Sequence, residues 1–328
     1  MKDYDQLHEI VNRYITQMPY PPQPDGLYAP IRYVLSLGGK RIRPILMLMA
    51  YNMYCDTPED IMPQALALET YHNFTLLHDD LMDRADLRRG NPTVHNKWND
   101  NTAILSGDAM LIMAYRLFTQ APAAAHNPNL LKALHTFNQA TLGVCDGQQY
   151  DIEFETRNDV TETEYMEMIR LKTSLLLACA LKIGAELAGA SPTDAGHLYS
   201  FGERMGLAFQ LQDDLLDVYG DPAVFGKNTG GDILCNKKTF MLIKTLALAQ
   251  GTDRAELQHW IDATQYDPAE KIKAVTAIYD HVGIRHICQQ RIEQLFGQSL
   301  QSLDCVNLPA QRKIHLQDFA HRLLRRKK

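Results

Sequence analysis

The segment Leu76-Leu77-His78-Asp79-Asp80-Leu81-Met82-Asp83 sets three carboxylates inside an otherwise apolar run, and the same spacing returns at Gln210-Leu211-Gln212-Asp213-Asp214-Leu215-Leu216-Asp217. Residues three and four apart share one edge of an α-helix, so the aspartates of each segment crowd together. Like charges at that spacing destabilise an isolated helix by roughly 0.2–0.5 kcal/mol per pair. Apolar packing around them makes uncompensated charge costlier still. Something positive is therefore expected beside each cluster. Oxygen ligands with room for water suit Mg²⁺, which takes one or two carboxylates and completes its shell with phosphate oxygens. One such cluster reads most readily as a solvated helix face. Two, each preceded by a long apolar helix, read as two faces of one metal-binding cavity.

At 328 residues the chain can form one large domain or two ordinary ones, and 45% hydrophobic with 22% charged residues suits a globular protein. The net charge of −6 gives no reason to expect nucleic acid as a partner. Cations gather locally at Lys40-Arg41-Arg43, Arg88-Arg89, Lys237-Lys238 and the tail Arg325–Lys328. Cys55, Cys145, Cys179, Cys235, Cys288 and Cys305 are scattered without CxxC pairs or a signal peptide, which points to reduced thiols and a cytoplasmic location. The longest apolar stretch, 102–118, is broken by Ser106-Gly107-Asp108 and Arg116, so a buried helix rather than a membrane span is expected.

Helical periodicity runs through most of the chain. Residues 4–18 place Tyr4, Leu7, Val11, Tyr14, Ile15 and Met18 on one stripe. A second helix starts near Leu27 and stops at Gly38-Gly39, where two glycines beside Lys40, Arg41 and Arg43 suit either close approach to an anion or a helix cap. Apolar residues 45–54 follow, and Thr57-Pro58 reads as an N-cap opening the helix that ends in the first acidic cluster. A basic loop, 86–92, and helices at about 101–119 and 130–156 come next. Thr161 and Glu164 form a capping box for a helix continuing to about Gly189. Ser191-Pro192 opens the helix that carries the second cluster. Beyond the glycine-rich loop 225–232, helices are expected at 239–248, 253–264, 268–303 and 310–324. Convincing strand alternation is absent, so an all-α domain over 1–328 is expected.

Five spaced motifs together resemble the trans-isoprenyl diphosphate synthase, or polyprenyl synthetase, family. They are Gly38–Pro44, Asp79–Asp83 with Arg88-Arg89-Gly90, Lys172-Thr173, Gln210 with Asp213–Asp217, and Gly226-Lys227 through Asn236-Lys237. The resemblance covers nearly the whole chain. It implies an all-α isoprenoid-synthase bundle around a central cavity with two facing DDxxD motifs, usually a homodimer. Asp79, Asp83 and Asp213 would lead in holding three Mg²⁺ ions, with Asp80, Asp214 and Asp217 completing the acidic walls. Arg88, Lys172, Lys227 and Lys237 would hold the allylic diphosphate. Lys40, Arg43, His72 and Arg89 match positions that bind isopentenyl diphosphate, while Thr173 and Gln210 would orient a developing carbocation. Breaking an allylic C–O bond leaves a cation and a diphosphate, so charge on the leaving group is the largest catalytic term available.

A terpene cyclase shares the first motif but normally carries an Asn/Ser/Glu-type second one. An HD-type metal phosphohydrolase would use His78-Asp79 but leaves the second DDxxD unexplained. A non-catalytic partner subunit would be expected to lose the acidic motifs. In this family, bulky residues before the first motif form the floor of the chain pocket. Phe74, with small Thr75 beside it and Tyr71 a turn beyond, resembles synthases making C15 or C20 products. The basic tail is expected either to fold over the occupied cavity or to fray into solvent.

Overall fold

Local capping signals decide many of the helix boundaries in the computed structural model, which describes residues 1–119, 127–220 and 229–324. Helix α1, Tyr4–Thr16, begins with a full capping box between Asp3 and Gln6. Its buried stripe is Leu7, Val11 and Ile15, while Tyr14 faces solvent and Tyr4 turns to a neighbouring loop. Helix α2 spans Asp25–Ser36 and α3 Ile42–Asn52, the latter three residues earlier than expected. Pro44 is tolerated because it lies in the first turn, where amides lack intrahelical partners.

Thr57 does not cap α4. Its hydroxyl turns to the Asp60 carboxylate (2.5 Å), Pro58–Ile61 forms a 3₁₀ turn, and α4 runs Met62–Met82. The basic loop after it is a minimal antiparallel ribbon, β1 (Leu87–Arg88) on β2 (Asn91–Pro92). Its tight turn follows from positive φ at both central residues, Arg89 (53°) and Gly90 (75°). Helices α5 (Val94–Lys97), α6 (Asp100–Thr119) and α7 (Leu130–Thr156) follow.

The Thr161 capping box opens α8, Glu162–Ile169, but the helix then widens into a π turn, Arg170–Ser174, before α9 resumes over Leu175–Leu187. Ser191 accepts the Asp194 amide at the start of α10, Pro192–Tyr219. Then come α11 (Gly231–Leu234), α12 (Phe240–Leu248) and α13 (Gly251–Asp262). The single helix expected over 268–303 is two, α14 (Pro268–Val282) and α15 (Ile284–Asp304), because Gly283 turns left-handed at φ 75°. Helix α16 is Ala310–Leu324.

The chain divides into two compact units. The first comprises Met1–Phe137, Ala180–Gly196 and Leu308–Leu316. Within it α4 lies along α6, and beneath α4 the rings of Tyr71, Phe118 and Phe137 pack together. The second comprises Asn138–Cys179, His197–Asn307 and the residues from Gln317 on. Its core gathers Phe154, Tyr165, Leu211, Phe240, Tyr279 and Leu295. Among the described residues no helix is long and apolar enough to cross a membrane.

Candidate active site

Within the first acidic motif the three carboxylates are not equivalent. Asp80 points inward and is buried. Arg88, on β1, donates through Nε to both its oxygens (3.0 and 3.1 Å) and through a terminal nitrogen to Oδ1 (2.5 Å). Burial pushes the Asp80 carboxyl up, against the pull of Arg88. Asp79 is half-buried, 4.0 Å from the same guanidinium, and Asp83 caps α4 in solvent. The resemblance implies Asp80 on a metal-binding wall and Arg88 on a diphosphate, and in the structure the two are bonded to each other.

The second motif repeats the division. Asp214 is buried, and it accepts hydrogen bonds from the Tyr165 hydroxyl and from Gln210 Nε2 (3.0 Å). Burial raises its pKa, with Lys237 and both bonds opposing. Gln210 in turn accepts from the Thr173 hydroxyl (2.9 Å). Its amide is thus fixed at both ends, carbonyl to Thr173 and nitrogen to Asp214. Asp213 and Asp217 are half-buried, and Asp217 also accepts the Asp232 amide (3.0 Å).

Lys172 and Thr173 lie in the π turn, and Lys172 Nζ bonds Asp151 of α7 (2.6 Å). Glycine is required on the facing helix, since a Cβ at Gly147 would fall 2.4 Å from the Lys172 amide nitrogen. Burial alone would lower Lys237, but Asp232, Asp151 and Asp214 outweigh it and hold the ammonium above its usual range. Burial, with Asp214 and Asp217 adding to it against Lys237, lifts Asp232 to about 7. Lys172, Thr173, Gln210, Asp214 and Lys237 line one cleft of the second unit, with Asp151 and Tyr165.

Lys40, Arg41, Arg43 and Arg89 of the first unit gather at the loop between α2 and α3. Arg43 donates to His72 Nε2 (2.9 Å), which fixes the imidazole as the neutral acceptor, while the buried Arg43 Nε has no acceptor. Burial lowers Arg43 to about 10, with Arg89 adding to that and Glu69 opposing. Burial, then Arg43, Arg89, Arg88 and Arg41, hold His72 well below its ordinary value. Arg89 donates to the Gly38 carbonyl and lies flat on Gly39, where a Cβ would meet its guanidinium at 2.8 Å. Lys40 is exposed. A partly uncompensated set of donors like this is what an anion would fill.

Phe74 is half-buried on α4 between His78 (ring centroids 4.9 Å) and Tyr71 (5.5 Å). Tyr71 is fully buried against Phe137 (5.7 Å), and the Thr75 hydroxyl bonds the His72 carbonyl (2.8 Å). His78 bonds the Ile104 carbonyl (3.1 Å) on α6 instead of joining Asp79. Lys227 with Gly226, and the tail Arg325–Lys328, lie outside the described residues.

Sequence reasoning missed Tyr165, Asp151, Asp232 and Glu69. For Glu69 a signal existed, a lone carboxylate in the apolar run Leu66-Ala67-Leu68, answered by Arg41 (2.7 Å). Tyr165 and Asp151 stand in ordinary helical patterns and Asp232 at the end of the glycine-rich loop, and only the fold brings them to Asp214, Lys172 and Lys237. Among the described residues no three His, Cys, Asp or Glu side chains converge as a ready metal centre. Within each motif the outer carboxylates, Asp79 with Asp83 and Asp213 with Asp217, are oxygen donors of the kind Mg²⁺ takes, since it needs few protein ligands when substrate phosphates supply the rest.

A family model described as polyprenyl synthetase matches residues 24–279. A geranylgeranyl diphosphate synthase of Methanosarcina mazei is 41% identical over 222 residues, 67% of this chain and 68% of that protein. A geranylfarnesyl diphosphate synthase of Natronomonas pharaonis is 34% identical over 337 residues, covering 97% of this chain and 95% of the other. Among solved structures, a geranylgeranyl pyrophosphate synthase superimposes with a TM-score of 0.93 at 42% identity, covering 100% of both chains. One from Pyrococcus horikoshii gives 0.88 at 30% identity, over 97% of this chain and 95% of that one.

Proposed function

The chain belongs to the polyprenyl synthetase family, and from that premise we propose that it condenses isopentenyl diphosphate with an allylic diphosphate to give a short-chain C15–C20 trans-prenyl diphosphate. The observation that carries this reading is the repeated division of labour in the two DDxxD motifs. Each buries its middle carboxylate against a scaffold partner, Arg88 or Tyr165, and leaves its outer carboxylates less buried.

Asp79, Asp83, Asp213 and Asp217 would hold Mg²⁺, up to three ions, which when bound neutralise the diphosphate's developing charge. Lys172, Lys237 and Lys227 add fixed positive charge to that leaving group. Arg88 acts mainly through Asp80, holding the last turn of α4 so that Asp79 and Asp83 are presented together. Gln210, fixed by Thr173 and Asp214, directs its carbonyl dipole at the allylic carbons as they become cationic. Lys40, Arg43 and Arg89 bind isopentenyl diphosphate, with neutral His72 accepting from Arg43. No protein nucleophile is required, since the isopentenyl double bond attacks the cation and a proton is then lost.

Phe74 closes the chain pocket, which keeps the product short. A homodimer is part of the same reading, supported by Ile104, Leu105 and Ile112 exposed on one face of α6. So is a cytoplasmic location, in keeping with six cysteines that form no disulfide. The test is pyrophosphate release by the purified chain. It should require isopentenyl diphosphate, an allylic diphosphate and Mg²⁺ together, and release from either substrate alone would refute the condensation.

A further inference from the structure

Three consecutive carbonyls of the Gly38–Arg41 loop are each held by a side chain from elsewhere in the first unit. The Gly38 carbonyl accepts from Arg89, the Gly39 carbonyl from His8 Nε2 (3.1 Å), and the Lys40 carbonyl from the Tyr4 hydroxyl (2.6 Å). The next residue, Arg41, is buried and spends its guanidinium on Asn12 (3.2 Å), Glu69 (2.7 Å) and the Leu35 carbonyl (2.6 Å). The loop needs such holding, because Gly38, Gly39 and Arg41 all have positive φ, at 75°, 132° and 47°.

Tyr4, His8 and Asn12 are spaced i, i+4, i+8, one polar stripe along α1. It lies beside the apolar stripe Leu7, Val11 and Ile15 that fastens the same helix to the core. The Tyr4 and His8 rings stack at 5.8 Å, and Asn12 is 3.3 Å from the His8 ring nitrogens. The family model begins at residue 24, after α1 has ended, so α1 lies outside the matched segment.

We propose that α1, through Tyr4, His8 and Asn12, is the positioning element of the isopentenyl diphosphate site. It fixes the backbone that carries Lys40 and, through Arg41, the first turn of α3 that carries Arg43. None of the three touches substrate. They act by removing alternative loop conformations before the anion arrives, which is pre-organisation. The inference rests on the assignment of Lys40 and Arg43 to isopentenyl diphosphate.

The experiment compares the wild-type chain with Tyr4→Phe/His8→Leu in steady-state kinetics, with His8→Gln as a conservative variant that keeps a donor. The double variant should raise the KM for isopentenyl diphosphate about tenfold, the size of two modest hydrogen bonds. Its kcat and the allylic KM should stay within about twofold, and His8→Gln should sit close to wild type. An unchanged isopentenyl KM overturns the proposal. So do equal rises in both KM values alongside a lower melting temperature, since that pattern belongs to a purely structural helix. If the double variant does not fold, Tyr4→Phe, which removes one oxygen, should still raise the isopentenyl KM about threefold. A wild-type chain that turns over neither substrate pair contradicts the reaction itself. The stripe is then judged by calorimetry with inorganic pyrophosphate, whose affinity must fall in the double variant.

Discussion

Arg88 reaches back across the end of α4 to grip both oxygens of Asp80, and in doing so it compensates the one carboxylate of the first motif that water cannot. Asp214 stands in the equivalent place in the second motif, with Tyr165 and Gln210 as its partners. The middle residue of each motif is thus the buried, hydrogen-bonded one, and its neighbours are less buried.

This division separates two phenotypes. Asp80→Ala strands the half-buried Arg88 without its partner and should cost about 3 kcal/mol of stability in urea unfolding. Asp79→Ala should leave stability within about 0.5 kcal/mol and lower kcat by a factor on the order of 10² to 10³. Equal destabilisation by both variants would mean that the two carboxylates are not divided as described.

Thr173→Val keeps the shape of the π turn but withdraws the donor that orients Gln210. With the amide able to rotate, kcat should fall roughly five- to tenfold, the worth of one hydrogen bond. KM for both substrates should change little. Steady-state kinetics showing a KM effect with kcat intact would place Gln210 in substrate binding rather than in orienting a cation.

His72 gives the fold an acid sensitivity. Its folded pKa lies well below the ordinary histidine value because of burial and the surrounding arginines, whereas in the unfolded chain it protonates near pH 6.5. The unfolded state therefore binds the extra proton first. Stability from neutral His72 is complete above about pH 6.5 and is lost progressively as pH falls toward the folded value. The slope approaches about 1.4 kcal/mol per pH unit. In urea melts between pH 6.5 and 5, His72→Gln should remove that share of the slope. A bound diphosphate should shrink it too, by favouring the charged ring.

Phe74→Ala should lengthen the product by at least one isoprene unit, and Thr75→Phe should shorten it, as read by chromatography of the dephosphorylated alcohols. Adding Tyr71→Ala is a different matter. Tyr71 is fully buried against Phe137, so its truncation should cost about 3–5 kcal/mol and is best read only in a variant that remains folded. An unchanged distribution from a stable, active Phe74→Ala enzyme would put the floor of the pocket elsewhere.

Local chemistry was readable before any coordinates, and long-range chemistry was not. Thr161 with Glu164 and Ser191 with Asp194 mark helix starts because capping is decided within four residues. The break at Gly283 was missed because apolar periodicity continues on both sides of it. The π turn at Lys172-Thr173 was also missed, since it accompanies the close approach of α7 at Gly147 rather than any residue of its own. In the motifs themselves, periodicity puts Asp79, Asp80 and Asp83 on one edge and cannot rank them. Their ranking comes from Arg88, eight residues on, and for Asp214 from Tyr165, forty-nine residues away. Helix α1 shows the same limit, because its apolar stripe was plain in the sequence but the task of Tyr4 depends on where Lys40 lies.

The most direct measurement is the identity of the product formed by the purified chain from isopentenyl diphosphate and geranyl or farnesyl diphosphate with Mg²⁺, analysed by mass spectrometry. The expected products are a linear C15–C20 prenyl diphosphate and inorganic pyrophosphate, with neither formed when the metal is chelated. A cyclised hydrocarbon, inorganic phosphate released from one substrate alone, or no turnover by the chain without a second protein would contradict the proposed condensation.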